Sequence, residues 1–197
     1  MIENRITIVS GLPRSGTSMM MNILTAGGIH ALTDGERSPD ESNPKGYFEL
    51  EKVKHLGEDR SFMPDAVGKV VKVVSPLLKH LPLEYSYRVV FMERDVQEML
   101  ASQRQMMIRR GELAPDDDEK MAAIYARHLQ DVKNWLSLQP NIDVIYVNYN
   151  EVLKSPEPYI ENINRFLGNE LDSSAMLAAV DRSLYRQRNG TTSQNQS

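Results

Sequence analysis

Near the N-terminus, Gly11-Leu12-Pro13-Arg14-Ser15-Gly16-Thr17-Ser18 sets two glycines five positions apart, with two hydroxyl residues directly after the second. This is the glycine spacing of a phosphate-binding loop. In such a loop backbone N–H groups at a helix N-terminus converge on an anion, and the helix dipole favours it. The pattern G-x-x-x-x-G-K-[ST] would place a lysine at position 17, where it reaches the β- and γ-phosphates of a nucleoside triphosphate. Thr17 stands there instead, and the cation of the loop is Arg14. The loop therefore suits an anion other than a magnesium-bound triphosphate, and Pro13, Arg14, Ser15, Gly16, Thr17 and Ser18 are its candidate ligands. Further down the chain, Arg94 closes an apolar run and Ser102 follows eight residues later. Lys72 interrupts a valine run, Asp34 and Glu36 lie in a turn-rich stretch, and Arg186 and Arg188 form a basic pair near the C-terminus.

These residues need elements to position them. The β-branched run 6–9 reads as a buried strand that ends at Gly11, and 17–25 as the helix after the loop. Residues 33–46 hold Gly, Ser, Pro, Asp and Asn and read as a long surface loop, a kind that is often functional in a compact domain. Strands are expected at 69–74, 87–92 and 142–147. Helices are expected at 96–110, from the acidic run 116–119 to about 138, at 156–167 and at 173–180. Carboxylates suit the N-terminus of the second of these helices. Strands alternating with helices imply an α/β fold of three layers around a mainly parallel central sheet.

The chain has 197 residues, 41% of them hydrophobic and 25% charged, which fits one domain with a sizeable core. The expected division is a single domain over 1–188 and a disordered polar tail over 189–197. A net charge of −4 argues against a nucleic-acid surface. The absence of cysteine excludes a disulfide scaffold, a Cys-ligated zinc site and a thiol nucleophile. No targeting segment and no run long enough for a membrane span is evident, so a cytoplasmic protein is the default.

Ser10-Gly11-Leu12-Pro13-Arg14-Ser15-Gly16-Thr17-Ser18 resembles the loop of sulfotransferases that use 3′-phosphoadenylyl sulfate (PAPS), small bacterial-type members included. Its Pro-Arg-Ser-Gly-Thr is most similar to that of tyrosylprotein sulfotransferases. Two later segments agree in order. Val89-Val90-Phe91-Met92-Glu93-Arg94-Asp95, with Ser102, resembles the strand end and helix serine that bind the 3′-phosphate. Val144 through Glu151, with Arg165-Phe166-Leu167-Gly168, resembles the strand and helix that carry the adenine-contacting tyrosine, here Tyr149.

The resemblance implies PAPS as sulfuryl donor, adenosine 3′,5′-bisphosphate as product, and no metal. It gives Arg14 the leaving phosphate and makes Lys72 a second cation near the sulfuryl group. Glu36, then Asp34, are the implied general bases, and Arg186 and Arg188 are weak matches to a 3′-phosphate loop. Two departures stand out: Met19 replaces the adenine-stacking Trp of cytosolic members, and Val74 occupies the position of their catalytic His. The acceptor, a small molecule, glycan or peptide, and the oligomeric state are not legible. The alternatives are a P-loop kinase or other phosphotransferase, which Thr17 disfavours, and a nucleotide-binding protein without catalysis.

Overall fold

The computed structural model describes residues 4–34, 48–109, 111–112 and 117–181. Among these, four strands form one sheet: β1 (Arg5–Gly11), β2 (Val70–Lys72), β3 (Ser86–Glu93) and β4 (Ile142–Asn148). Their order is β2-β1-β3-β4 and every neighbouring pair is parallel. The helices are α1 (Thr17–Ala26), α2 (Met63–Ala66), α3 (Val96–Arg109), α4 (Asp118–Leu136), α5 (Tyr149–Lys154), α6 (Pro156–Phe166) and α7 (Ser173–Ala178). Two 3₁₀ turns cover Glu51–His55 and Ser75–His80. The expected three-layer α/β architecture is what the chain adopts.

The sheet is covered on both faces, and successive strand residues supply opposite cores. Val9, Val90, Met92 and Val147 face a core shared with Met20, Leu24, Ile160 and Ile163 of α1 and α6. Ile6, Ile8, Tyr87, Val89, Phe91 and Ile142 face a second core with Leu56, Met63, Leu78 and Leu136. This explains why β1 reads as an uninterrupted apolar run rather than an alternating one.

Local chemistry sets the boundaries. Asp117 caps α4 by accepting from the Lys120 N–H at 2.8 Å, so the acidic run does open that helix. Two elements depart from expectation. β2 stops at Lys72, because Ser75-Pro76 starts a 3₁₀ turn immediately beyond. α5 was not expected: Asn148 accepts from the N–H groups of Asn150 and Glu151 and starts a helix directly after β4. No helix among the described residues is long and apolar enough to cross a membrane.

Topology then locates the site. The connection after β1 leads to β2 on one side, and β3 lies on the other side of β1. The carboxyl ends of β1 and β3 therefore flank a switch point, the usual crevice for ligands in open α/β sheets. Gly11 pairs in register with Met92, so the glycine loop and the segment starting at Glu93 leave the sheet side by side.

Candidate active site

The loop between β1 and α1 is shaped by residues that nothing larger can replace. Gly11 has φ 148°, and a Cβ there would lie 2.4 Å from Ser15 Oγ and 2.7 Å from the Met92 carbonyl oxygen. Gly16, the N-cap of α1, has φ 100°, and its Cβ would meet the Tyr149 ring at 2.3 Å. Arg14 also takes a left-handed conformation, φ 69°, without being glycine. No side chain caps α1 and its first turn holds no acid. Its leading N–H groups thus have no intrahelical acceptor, and the helix dipole meets no built-in negative charge. Among the described residues the buried hydroxyls of Ser10 and Ser15 find no hydrogen-bond partner. Orphaned donors in a glycine cradle at a helix N-terminus fit an anionic group such as a phosphate.

Three elements bring cations to this loop. Arg14 donates from Nε to Ser102 Oγ on α3 at 3.0 Å. Lys72, at the end of β2, lies beside α1: its Nζ is 3.4 Å from Ser18 Oγ and 3.6 Å from Glu49 Oε1. The Lys72 side chain is 10% exposed and that of Glu49 32%, so a carboxylate and an ammonium face each other at the accessible side of the site. Glu49 was not anticipated from sequence. Its position follows from the way the ends of segment 35–47 are tied together: Thr33 Oγ1 donates to the Glu49 carbonyl at 2.7 Å, and the Asp34 N–H donates to the same oxygen. The Asp34 carboxylate accepts from the Glu51 N–H, which orients the chain that carries Glu49.

Arg94 lies beside the loop and is deeply engaged. Its side chain is 6% exposed. Nε pairs with Glu98 Oε2 at 3.0 Å, Nη1 donates to the Arg14 carbonyl at 3.2 Å, and the guanidinium carbon lies 4.5 Å above the Tyr149 ring. Nη2 is buried and finds no partner among the described residues. Tyr149 is correspondingly buried, with its ring between Arg94 and Gly16. This ring packs against the loop and the Arg94 guanidinium.

Of the remaining sequence candidates, Ser15, Thr17 and Ser18 line the loop and first turn, and Pro13 is exposed at its tip. Glu36, Arg186 and Arg188 lie outside the described residues. A second feature missed from sequence is the contact of His128, on α4, with Ser75: Nε2 and Oγ are 2.9 Å apart, three residues beyond Lys72. Burial holds the His128 pKa below 6.5; Asp131 opposes that shift and Lys79 adds to it. Among the described residues no cluster of His, Asp and Glu has the makings of a metal site.

Comparisons with known proteins bear on this arrangement. The family model described as the sulfotransferase domain matches residues 4–197. Among curated proteins no sequence matches. The sulfotransferase domain from the curacin biosynthetic pathway superposes with a TM-score of 0.52 over 90% of this chain and 78% of its own, at 16% identity. Mouse sulfotransferase SULT7A1, complexed with PAP, superposes with a TM-score of 0.52 over 92% of this chain, also at 16% identity. The alignment covers 64% of the mouse protein, so the chain spans less than two thirds of that neighbour. At such identities the likeness is one of fold.

Proposed function

This chain belongs to the sulfotransferase domain family, and on that premise we propose that it moves a sulfuryl group from PAPS to a hydroxyl or amine acceptor. The observation that carries the reading is the loop itself. Among the described residues it offers an uncapped helix N-terminus and orphaned hydroxyls on Ser10 and Ser15, and it carries Thr17 at the place of a triphosphate-binding lysine with Arg14 as its cation. The PAP complex of the mouse neighbour supports the same donor class.

Loop amides, Ser15, Thr17 and Ser18 hold the 5′-phosphate. Ser102 and the open Nη2 of Arg94 are the described groups left for the 3′-phosphate, and Arg186 and Arg188 remain proposed additions. When bound, PAPS supplies an activated sulfuryl group and a phosphate leaving group.

The chain's own groups then divide the work. Glu49 takes the proton from the acceptor oxygen or nitrogen as that atom bonds to sulfur. It replaces Asp34, whose carboxylate is committed to the Glu51 N–H, because its own carboxylate is partly exposed beside Lys72, and a general base must come within hydrogen-bond reach of the proton it takes. Lys72 stabilises charge on the sulfuryl oxygens. Arg14 meets the negative charge that grows on the bridging oxygen as the sulfur–oxygen bond breaks, a role that favours the transition state over the ground state. The sulfuryl group carries less charge than a γ-phosphoryl group, so the reading requires no metal.

Thermal shift tests the proposal. Adenosine 3′,5′-bisphosphate at 100 times its Kd should stabilise the fold by about 2.7 kcal/mol, and transfer from labelled PAPS should appear across an acceptor panel. Stabilisation by ATP-magnesium alone would overturn it in favour of a kinase. Bisphosphate binding without any sulfated product would favour a non-catalytic binding protein.

A further inference from the structure

The clamp on Arg14 reaches beyond its direct contacts. Glu98 and Ser102 are one helical turn apart on α3 and hence on one face. Ser102 receives the Arg14 side chain at Nε. Glu98 reaches the Arg14 backbone through Arg94, whose Nε it binds at 3.0 Å while Nη1 of the same guanidinium holds the Arg14 carbonyl. A single helix face therefore fixes Arg14 at both ends.

Glu98 is itself unusual. It is 5% exposed and sits three residues after Asp95, whose carboxylate accepts its N–H at 3.0 Å. In an Asp-x-x-Glu capping arrangement the glutamate would turn back to the helix start. Here both of its carboxylate oxygens turn inward, to Arg94 and to Asn150 Nδ2 at 3.2 Å. Asn150 belongs to α5, so the carboxylate joins the segment after β3 to the one after β4, directly beneath the loop from β1.

We infer that Glu98, oriented by Asn150, is the positioning residue of the leaving-group cation: it fixes Arg94, which holds the Arg14 carbonyl and so keeps Arg14 in its left-handed conformation with its guanidinium on Ser102. The catalytic consequence rests on the sulfotransfer reading; the structural one does not. Loss of the carboxylate frees Arg94 to leave the Arg14 carbonyl, and the loop residue then samples other backbone states.

The test uses the whole chain with Glu98→Gln, which keeps the shape and removes the charge, and Asn150→Ala, which leaves the Arg94–Glu98 pair in place. The side-chain Nε–H signal of Arg14 is followed by NMR and assigned by its disappearance in Arg14→Ala. Both variants should accelerate solvent exchange of that proton about tenfold or more. They should also lower kcat by about 10- to 100-fold, the scale of an ångström-sized misplacement, while the acceptor KM stays within about twofold. An Arg14 Nε–H signal as protected in both variants as in the wild type would overturn the inference. A wild-type protein that transfers to no acceptor would instead sink the functional reading, and the exchange measurement would still decide the role of Glu98.

Discussion

Arg14 joins a left-handed backbone to the guanidinium proposed to meet the leaving group, and two substitutions separate the two properties. At φ 69° a residue with a Cβ sits in the left-handed region, at a cost of about 1–2 kcal/mol that glycine escapes. Glycine also gives the unfolded chain more freedom, which returns about 0.4–1 kcal/mol of that gain. Arg14→Gly should therefore be more stable than Arg14→Ala by about 0.5–1 kcal/mol, or about 1–4 °C in Tm for a chain of this size. Both variants lose the hydrogen bond to Ser102, worth about 1.5–3 kcal/mol for a charged donor, so both should melt below the wild type. In initial-rate transfer from labelled PAPS the two should be equally poor, down by about 10²–10³, the scale of a lost oxyanion-type donor. Activity of either variant within tenfold of wild type would remove Arg14 from the leaving-group role. Arg14→Gly melting below Arg14→Ala would show that the left-handed conformation is not strained in the folded chain.

Glu49→Gln keeps the hydrogen-bonding shape beside Lys72 but cannot accept a proton. It should lower kcat by about 10²–10⁴ with bisphosphate affinity nearly unchanged in a thermal-shift titration, and a kcat within threefold of wild type would disqualify Glu49 as the base. His128 gives a pH signature. Its folded pKa lies below 6.5 because of burial, so the unfolded chain binds this proton more readily than the folded one. Stability from this group is full above pH 6.5, falls as pH drops toward the folded pKa, and is flat below it. The stability difference between wild type and His128→Gln should shrink in the same direction on acidification, measured as Tm between pH 8 and 5; a difference that grows would reverse the assignment.

Much of the architecture was legible because it depends on short-range patterns. Buried parallel strands leave valine and isoleucine runs, and Gly11 and Gly16 mark backbone conformations that side chains forbid. These two signals placed the loop, β1, β3, β4 and the major helices. Glu49 was not legible as a base because its place depends on where the chain returns after residues 35–47, and on sequence alone Glu36 and then Asp34 stood ahead of it. His128 was hidden for a similar reason: 53 residues separate it from Ser75, and nothing in the α4 sequence marks which face meets the 3₁₀ turn after β2. The contacts of Tyr149 with Arg94 and Gly16 were not legible, because a motif records that an aromatic is required and not which surface it covers.

Arg94 shows most clearly why a motif residue and a ligand-binding residue are different things. Burying an arginine with a glutamate costs both ions their hydration, and the pair seldom stabilises a fold more than well-packed apolar side chains would. Such a pair is better explained by the geometry it imposes. Here the geometry has a specific object: the guanidinium reaches the carbonyl of the one non-glycine residue in the loop that holds a positive φ. The Tyr149 ring beneath it occupies the space that a Gly16 side chain would need. Gly16, Tyr149, Arg94 and Glu98 are therefore one packing unit built around the conformation of Arg14. On the sulfotransfer reading, a substitution at Glu98 or Tyr149 would reach the reaction through Arg14, whereas one at Gly16 or Arg94, in the proposed phosphate contacts, would also act on the donor directly.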